Sequence, residues 1–156
     1  VARETGAEWI GQPLHEDVPA GSRPSVPAKD PFYVPPPGFD LDPRCQPVAG
    51  ALHDLWHCDA AGVYDNDGYR LRGHQFSDAQ GRFVFETIVP GRYPGRTRHY
   101  HIKVQAPGQK VLTTQLYFPG EPGNERDRIF DPTLLLDIPL GRSPNLARYD
   151  FVLDLA

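Results

Sequence analysis

His99 and His101 stand one residue apart in the run R-T-R-H-Y-H-I-K-V (96–104), and their types and spacing are suited to chemistry. Successive side chains of a β-strand alternate faces, so His99, His101, Lys103 and Gln105 share one side and Tyr100, Ile102 and Val104 the other. At a rise of about 3.3 Å per residue the two histidine Cα atoms are about 7 Å apart, close enough for both imidazoles to reach one ion. The plainer reading is a solvated polar face on a half-buried strand.

Histidine pairs serve zinc, copper and iron alike, so the remaining donors decide. The two cysteines lie far upstream, no His-Glu-x-x-His helix is present, and no carboxylate sits beside the pair. Tyrosine flanks it instead. Tyr93 precedes His99 across a Pro/Gly loop, and Tyr64 follows A-A-G-V after an earlier strand-like run. A phenol, with a reference pKa of about 10, ligates a divalent ion poorly at neutral pH. A ferric ion reverses this, because its charge holds the phenolate deprotonated. Two tyrosinates and two neutral imidazoles bring Fe³⁺ to a formal +1. Spacing alone does not separate Tyr64 and Tyr93 from Tyr33, Tyr69, Tyr100, Tyr117 and Tyr149.

Such donors need a rigid frame, and the patterning predicts strands. A-L-H-D-L-W-H-C-D, Y-R-L-R-G-H-Q-F, R-F-V-F-E-T-I, H-Y-H-I-K-V, K-V-L-T-T-Q-L-Y-F and A-R-Y-D-F-V-L-D-L read as strands, broken by Asp-, Gly- and Pro-rich turns. P-G-E-P-G-N-E-R-D-R reads as a long loop before a weakly apolar stretch, F-D-P-T-L-L-L-D-I-P. The even spacing predicts an all-β protein, a single β-sandwich domain over 48–156. Residues 1–47 hold ten of the 18 prolines, including V-P-P-P-G at 34–38, and are expected to form an irregular N-terminal arm. The arm carries Trp9, Ile10, Phe32, Tyr33 and Phe39, so it is expected to pack on the domain or on a partner, with a short helix near 2–9.

Composition narrows the function classes. With 156 residues the chain can bury a core without staples. Sixteen basic and 20 acidic residues give a net charge of −4 with no basic run, which argues against nucleic-acid binding. No apolar stretch reaches the length of a membrane-spanning helix. Pairing of Cys45 with Cys58 depends on the compartment and is left open.

The run W-H-C-D-A-A-G-V-Y-D-N … L-R-G-H-Q-F-S-D-A-Q-G-R-F-V-F-E-T-I-V-P-G-R-Y-P-G-R-T-R-H-Y-H-I-K-V … L-T-T-Q-L-Y-F-P-G-E-P resembles the intradiol ring-cleavage dioxygenases, the catechol and protocatechuate dioxygenase family. Trp with G-x-Y, then P-G-x-Y, R-x-x-H-x-H and T-Q occur in the family's order, over about residues 45–122. The likeness is greatest to the short, often secreted branch, which implies an extracellular setting; a cytoplasmic one stays open, as does a homo-oligomer. The resemblance implies Tyr64, Tyr93, His99 and His101 as ligands of Fe(III). It implies Arg96 as the arginine facing the reacting ring, and Gln115 as a glutamine beside the same pocket. A catechol-type diol and O2 would be the substrates, cis,cis-muconate-type dicarboxylic acids the products, and Tyr93 would leave the metal carrying a substrate proton. Two features depart from the family: Tyr100 stands where a small aliphatic is usual and is read as packing, and Y-V-P-P-P-G-F-D-L-D-P-R replaces a regular apolar first strand.

Each residue has a plainer reading. Arg96 could be a loop cation like Arg92 and Arg98, and Gln115 could satisfy a backbone group. His15, His53, His57 and His74 read as structural or surface histidines, and Asp65 and Asp67 as turn formers. Arg70, Arg72, Arg98 or His74 could favour an acidic ring substituent. The competing class is a transthyretin-like or carboxypeptidase-regulatory-like module without catalysis, which S-D-A-Q-G-R-F-V-F-E-T-I-V-P-G-R-Y also resembles. Such a module has no use for R-x-x-H-x-H on the next strand.

Overall fold

The structure, a computed structural model, describes residues 32–33, 38–138 and 147–155. Its strands are β1 (Phe32–Tyr33), β2 (Gly38–Leu41), β3 (Leu52–Trp56), β4 (Arg72–Phe76), β5 (Arg82–Phe83), β6 (Thr87–Ile88), β7 (His99–Gln105), β8 (Leu112–Tyr117) and β9 (Phe151–Val152). A four-stranded antiparallel sheet runs β4-β3-β7-β8. A three-stranded sheet, β5-β2-β9, faces it, and β1 pairs with β6 alone. The all-β sandwich expected from the turn spacing is the fold.

Alternation along β7 and its neighbours builds the core. Leu55, Tyr100, Ile102, Val104 and Leu116 are buried in one cluster with Phe83, Phe85, Phe151 and Leu153. His53 lies among these rings, stacked on Phe83 at 4.0 Å, with its Nε2 2.7 Å from Asp40 Oδ2 of the opposing sheet. Both side chains are fully buried, which fits the structural reading of His53. Tyr100 also packs as expected: it is buried and its hydroxyl donates to the Ile88 carbonyl at 2.9 Å.

Three expectations change. Gly38–Leu41, placed by sequence in the irregular arm, is a strand pairing antiparallel to β5 and parallel to β9. Gly38 permits this, since a Cβ there would stand 2.3 Å from the Phe83 ring and 2.4 Å from the Tyr149 carbonyl. R-F-V-F-E-T-I is not one strand: β5 and β6 belong to different sheets, and the chain changes partners between them. The final apolar run yields only β9, with Arg148 bridged to Asp137. The helix near 2–9 and any packing of the arm through residue 31 lie outside the described residues.

The other face of the four-stranded sheet carries the polar side chains. Register places Arg72, Trp56, His101 and Gln115 in one row across β4, β3, β7 and β8. His99 lies opposite Tyr117 one step further along. A defect on the apolar face tests the frame: Ile102→Ala, at the centre of the sheet, should cost about 2–5 kcal/mol. Urea unfolding of the two proteins measures it.

Candidate metal centre and active site

The sheet supplies two donors and two loops supply the others. β3 ends at Trp56, and the chain then forms a loop over 57–71 that carries Tyr64. Asp59 shapes its start: Oδ1 accepts from the Ala61 and Val63 amides, both at 2.9 Å, and Oδ2 from Arg70 Nη2 at 2.9 Å. Asp65, read as a turn former, is one, accepting from the Gly68 and Arg70 amides at 2.9 and 3.0 Å. Leu71 closes the loop at φ 59°, a costly conformation for a bulky residue. Its side chain is buried and its carbonyl accepts from the His57 amide at 3.3 Å.

The second loop, between β6 and β7, carries Tyr93 and Arg96, and it touches the first backbone to backbone. The Gly91 amide donates to the Asp59 carbonyl at 2.7 Å, and the Cys58 thiol to the Gly91 carbonyl at 3.6 Å. A Cβ on Gly91 would lie 2.4 Å from Gly62 N and 2.5 Å from Ala60 O; one on Gly62 would lie 2.4 Å from Arg92 O. Only glycine fits at either position. Each glycine sits two residues before a candidate tyrosine, so the contact that needs no side chains brings the two phenols together edge-on, with ring centroids 5.5 Å apart.

Four donor atoms close a ring. Tyr64 Oη is 3.5 Å from Tyr93 Oη, Tyr93 Oη 3.1 Å from His99 Nε2, His99 Nε2 3.2 Å from His101 Nε2, and His101 Nε2 3.0 Å from Tyr64 Oη. Donors sharing one ion at about 2.1 Å each, with angles of about 90–110° between them, stand about 3.0–3.4 Å apart. The ring is spaced for an ion at its centre. Among the described residues no group of three or more His, Cys, Asp or Glu side chains could hold a metal, so the phenols are essential to this donor set.

Burial fixes the protonation of the four donors. His99 and His101 are 2% and 7% exposed, not on a solvated face. Burial, reinforced by the Arg96 charge, lowers the His99 pKa to about 4. Burial and the neighbouring His99 hold His101 well below the usual range. His99 Nδ1 donates to the Thr97 carbonyl at 2.7 Å, which leaves the Nε2 lone pair facing the ring. Burial pushes both phenols up, Tyr64 strongly; beside Tyr93 the Arg96 guanidinium opposes the rise. Four neutral groups thus point at one centre. A cation of high charge would displace the phenol protons, so the donor set fits a ferric ion better than a divalent one.

The surrounding groups are placed with equal definition. Trp56 packs edge-on to Tyr64 at 4.9 Å and against His101 at 5.6 Å. Arg72 stands over its indole at 5.9 Å while pairing with Asp54 through two hydrogen bonds. Arg96, though on a loop, is not a solvent-facing cation. Its Nε donates to Asp127 at 2.8 Å, Nη2 to Gln115 Oε1 at 2.6 Å, and Nη1 lies 3.4 Å from Tyr93 Oη. Gln115 satisfies no backbone group in this network; its Oε1 also accepts from Tyr117 at 2.7 Å, and its Nε2 lies 3.3 Å from His101 Nδ1. Arg92 and Arg98 are the half-exposed loop cations expected, both paired with Glu121. His57 and His74 are buried, and both thiols are free, Cys45 exposed and Cys58 buried. Sequence reasoning passed over Asp127, Asn124, Thr97 and the two glycines. The repeated G-x-Y, at 62–64 and 91–93, was the legible signal for the glycines.

The β-sandwich gathers two imidazoles and two phenols beside its four-stranded sheet, and comparison places the chain in a family. Residues 37–154 match the family model described as Dioxygenase. The chain belongs to the intradiol ring-cleavage dioxygenase family. It is 31% identical over 147 residues to the protocatechuate 3,4-dioxygenase beta chain of Burkholderia cepacia, covering 82% of this chain and 61% of that one. With catechol 1,2-dioxygenase of Candida albicans it shares 30% over 117 residues, 60% of this chain and 39% of the other. The chain spans less than half the length of that enzyme and of the chlorocatechol 1,2-dioxygenase of Rhodococcus opacus, 39% and 45%. Among solved structures, the dioxygenase domain of a dioxygenase–carbohydrate-binding protein fusion from Streptomyces sp. SirexAA-E superposes with a TM-score of 0.83 at 45% identity, over 94% of this chain and 96% of that one.

Two outcomes check this construction. Gly91→Ala should force the tyrosine loops apart, cost about 1–3 kcal/mol and abolish metal uptake. Gly108→Ala, in the β7–β8 turn at φ 73° with no atom within 4 Å of the added carbon, should cost about 1–2 kcal/mol of backbone strain yet keep uptake; iron stoichiometry of the two variants decides. The second concerns acid. His57, donating to the Cys58 carbonyl and accepting from Thr87, has its pKa lowered by burial to about 4. Below the ordinary imidazole value the unfolded chain binds a proton the folded one refuses, so stability is lost as pH falls from about 6.5 to about 4. His57 alone accounts for about 3 kcal/mol by the lower limit. Urea midpoints of the metal-free protein at pH 7 and pH 5 should differ accordingly, and less so for His57→Gln.

Proposed function

We propose that the chain is a non-haem Fe(III)-dependent intradiol dioxygenase, which cleaves catechol-type diols with O2 to cis,cis-muconate-type dicarboxylic acids. The closed ring of Tyr64, Tyr93, His99 and His101 donor atoms, with the Arg96 guanidinium at its side, carries the reading. These four side chains would hold the iron. When bound, it would supply a Lewis-acidic, redox-active centre at which a chelated diolate becomes reactive toward O2.

The protein's part is to orient, to move protons and to place charge. Tyr93 is the phenol suited to take a proton from the incoming diol at Oη. Of the two it has the guanidinium beside it, so its anion is the better stabilised before the proton arrives. Tyr64, wedged against Trp56, is the more rigidly held. Arg96 stabilises negative charge that builds beside Tyr93, an electrostatic role, since a guanidinium gives up no proton. Gln115 fixes Arg96 and abuts His101, so it couples the charge to the cage. Of the arginines that could have favoured an acidic ring substituent, Arg70 pairs with Asp59 and Arg72 with Asp54, while Arg98 shares Glu121 with Arg92. That pairing supports diols without a ring carboxylate.

Iron-loaded protein should absorb in the visible through tyrosinate-to-iron charge transfer and consume O2 with catechol or hydroxyquinol faster than with protocatechuate. Tyr93→Phe should alter the band and lower kcat by about 10²-fold. A colourless iron-loaded protein with no oxygen uptake on any diol would overturn the proposal.

A further inference from the structure

The stretch 119–128, which reads in sequence as a long loop, grips the segment that leads into the site. Thr97 Oγ1 donates to Asn124 Oδ1 at 2.7 Å, and Asn124 Nδ2 to the Phe118 carbonyl at 2.9 Å. The Asp127 side chain is 1% exposed, and Oδ2 accepts from Arg96 Nε at 2.8 Å and the Thr97 amide at 3.0 Å. Its Oδ1 accepts from the Ile129 amide at 3.2 Å. A carboxylate this buried persists only where it is paired, and Oδ2 takes both of its bonds from the segment that carries Arg96 and leads to His99.

A guanidinium is planar, with its nitrogens in a fixed fork. Asp127 holds Nε and Gln115 holds Nη2, so the direction of Nη1 follows from those two, and Nη1 is the nitrogen 3.4 Å from Tyr93 Oη. Without Asp127 the long arginine side chain would keep one anchor and could pivot about it.

We propose that Asp127 is a positioning residue for the ring-cleavage reaction: clamped between the Thr97 amide and Arg96 Nε, its carboxylate sets the direction from which Arg96 places positive charge at the Tyr93 oxygen. The inference rests on the proposed function and assigns a role to a residue outside the iron cage. A mere brace for the backbone would act through Thr97 and His99 and would disturb the cage. A positioning residue acts through Arg96 and leaves the cage intact.

Four full-length proteins separate these: unsubstituted, Asp127→Asn, Arg96→Gln and the double variant. Asp127→Asn should bind iron with the unsubstituted stoichiometry and visible band, yet lose about 30-fold in kcat for catechol with KM changed less than about threefold. The double variant should be within about threefold of Arg96→Gln alone, because the two residues act as one unit. In the metal-free protein, nitrogen–proton spectra should show a slowly exchanging Arg96 Nε–H that Asp127→Asn removes. Should Asp127→Asn not accumulate folded, Asp127→Glu, which displaces the carboxylate by one methylene, should lose about tenfold in kcat with the band retained. Unchanged kcat, losses that multiply in the double variant, a shifted visible band, or an Nε–H signal indifferent to Asp127 would each overturn the proposal. No oxygen uptake by the unsubstituted protein would instead overturn the proposed function, and the Nε–H signal would then judge the clamp by itself.

Discussion

The approach of two backbones at Gly62 and Gly91 is the constraint on which the site depends. A sheet alone can present His99 and His101 from one strand, but it cannot bring in donors from elsewhere in the chain. The loop after β3 and the loop before β7 do so by packing peptide against peptide, with the Gly91 amide on the Asp59 carbonyl and no room for a Cβ on either glycine. Everything chemical follows from that contact. It sets the distance between the phenols, and the sheet register sets the imidazoles beneath them.

The electrostatics show a second economy. The two imidazoles are buried, the two phenols half-buried, and all four are neutral, which leaves the centre poorly suited to hold a charge of its own. The formal charges nearby are matched: Arg96 by Asp127, Arg72 by Asp54, Arg70 by Asp59. Paired charges beside a neutral cavity are cheaper to bury than lone ones. They also make the local field depend on the direction in which Arg96 is held.

The two faces of the central sheet divide the labour. On one, Leu55, Ile102 and Leu116 join the phenylalanines of the second sheet in a dry core. On the other, Arg72, Trp56, His101 and Gln115 form a row across all four strands. The residue between the histidines shows how tightly these are coupled. Tyr100 points into the core and donates to the Ile88 carbonyl, which ties the strand bearing the ligands to β6 and so to the base of the loop bearing Tyr93.

The sequence by itself determined what short-range physics writes into it. Period-two alternation marked β3, β4, β7 and β8, placed both histidines on one face, and turned Tyr100 and Ile102 inward. Turn chemistry marked Asp65. Tyr64 and Tyr93 stood out from the other tyrosines only through the family resemblance, which R-x-x-H-x-H and the two G-x-Y runs carry as local strings. Tertiary structure decided what depends on which distant segments meet. It split R-F-V-F-E-T-I between two sheets, drew Gly38–Leu41 out of a proline-rich segment into the fold, and brought Asp127 back 31 residues to Arg96. No periodicity records such meetings, because a hydrogen bond between residues far apart in sequence leaves no pattern in either neighbourhood. The chain's order therefore specified the donors and their faces, and only packing specified the distances that make them a site.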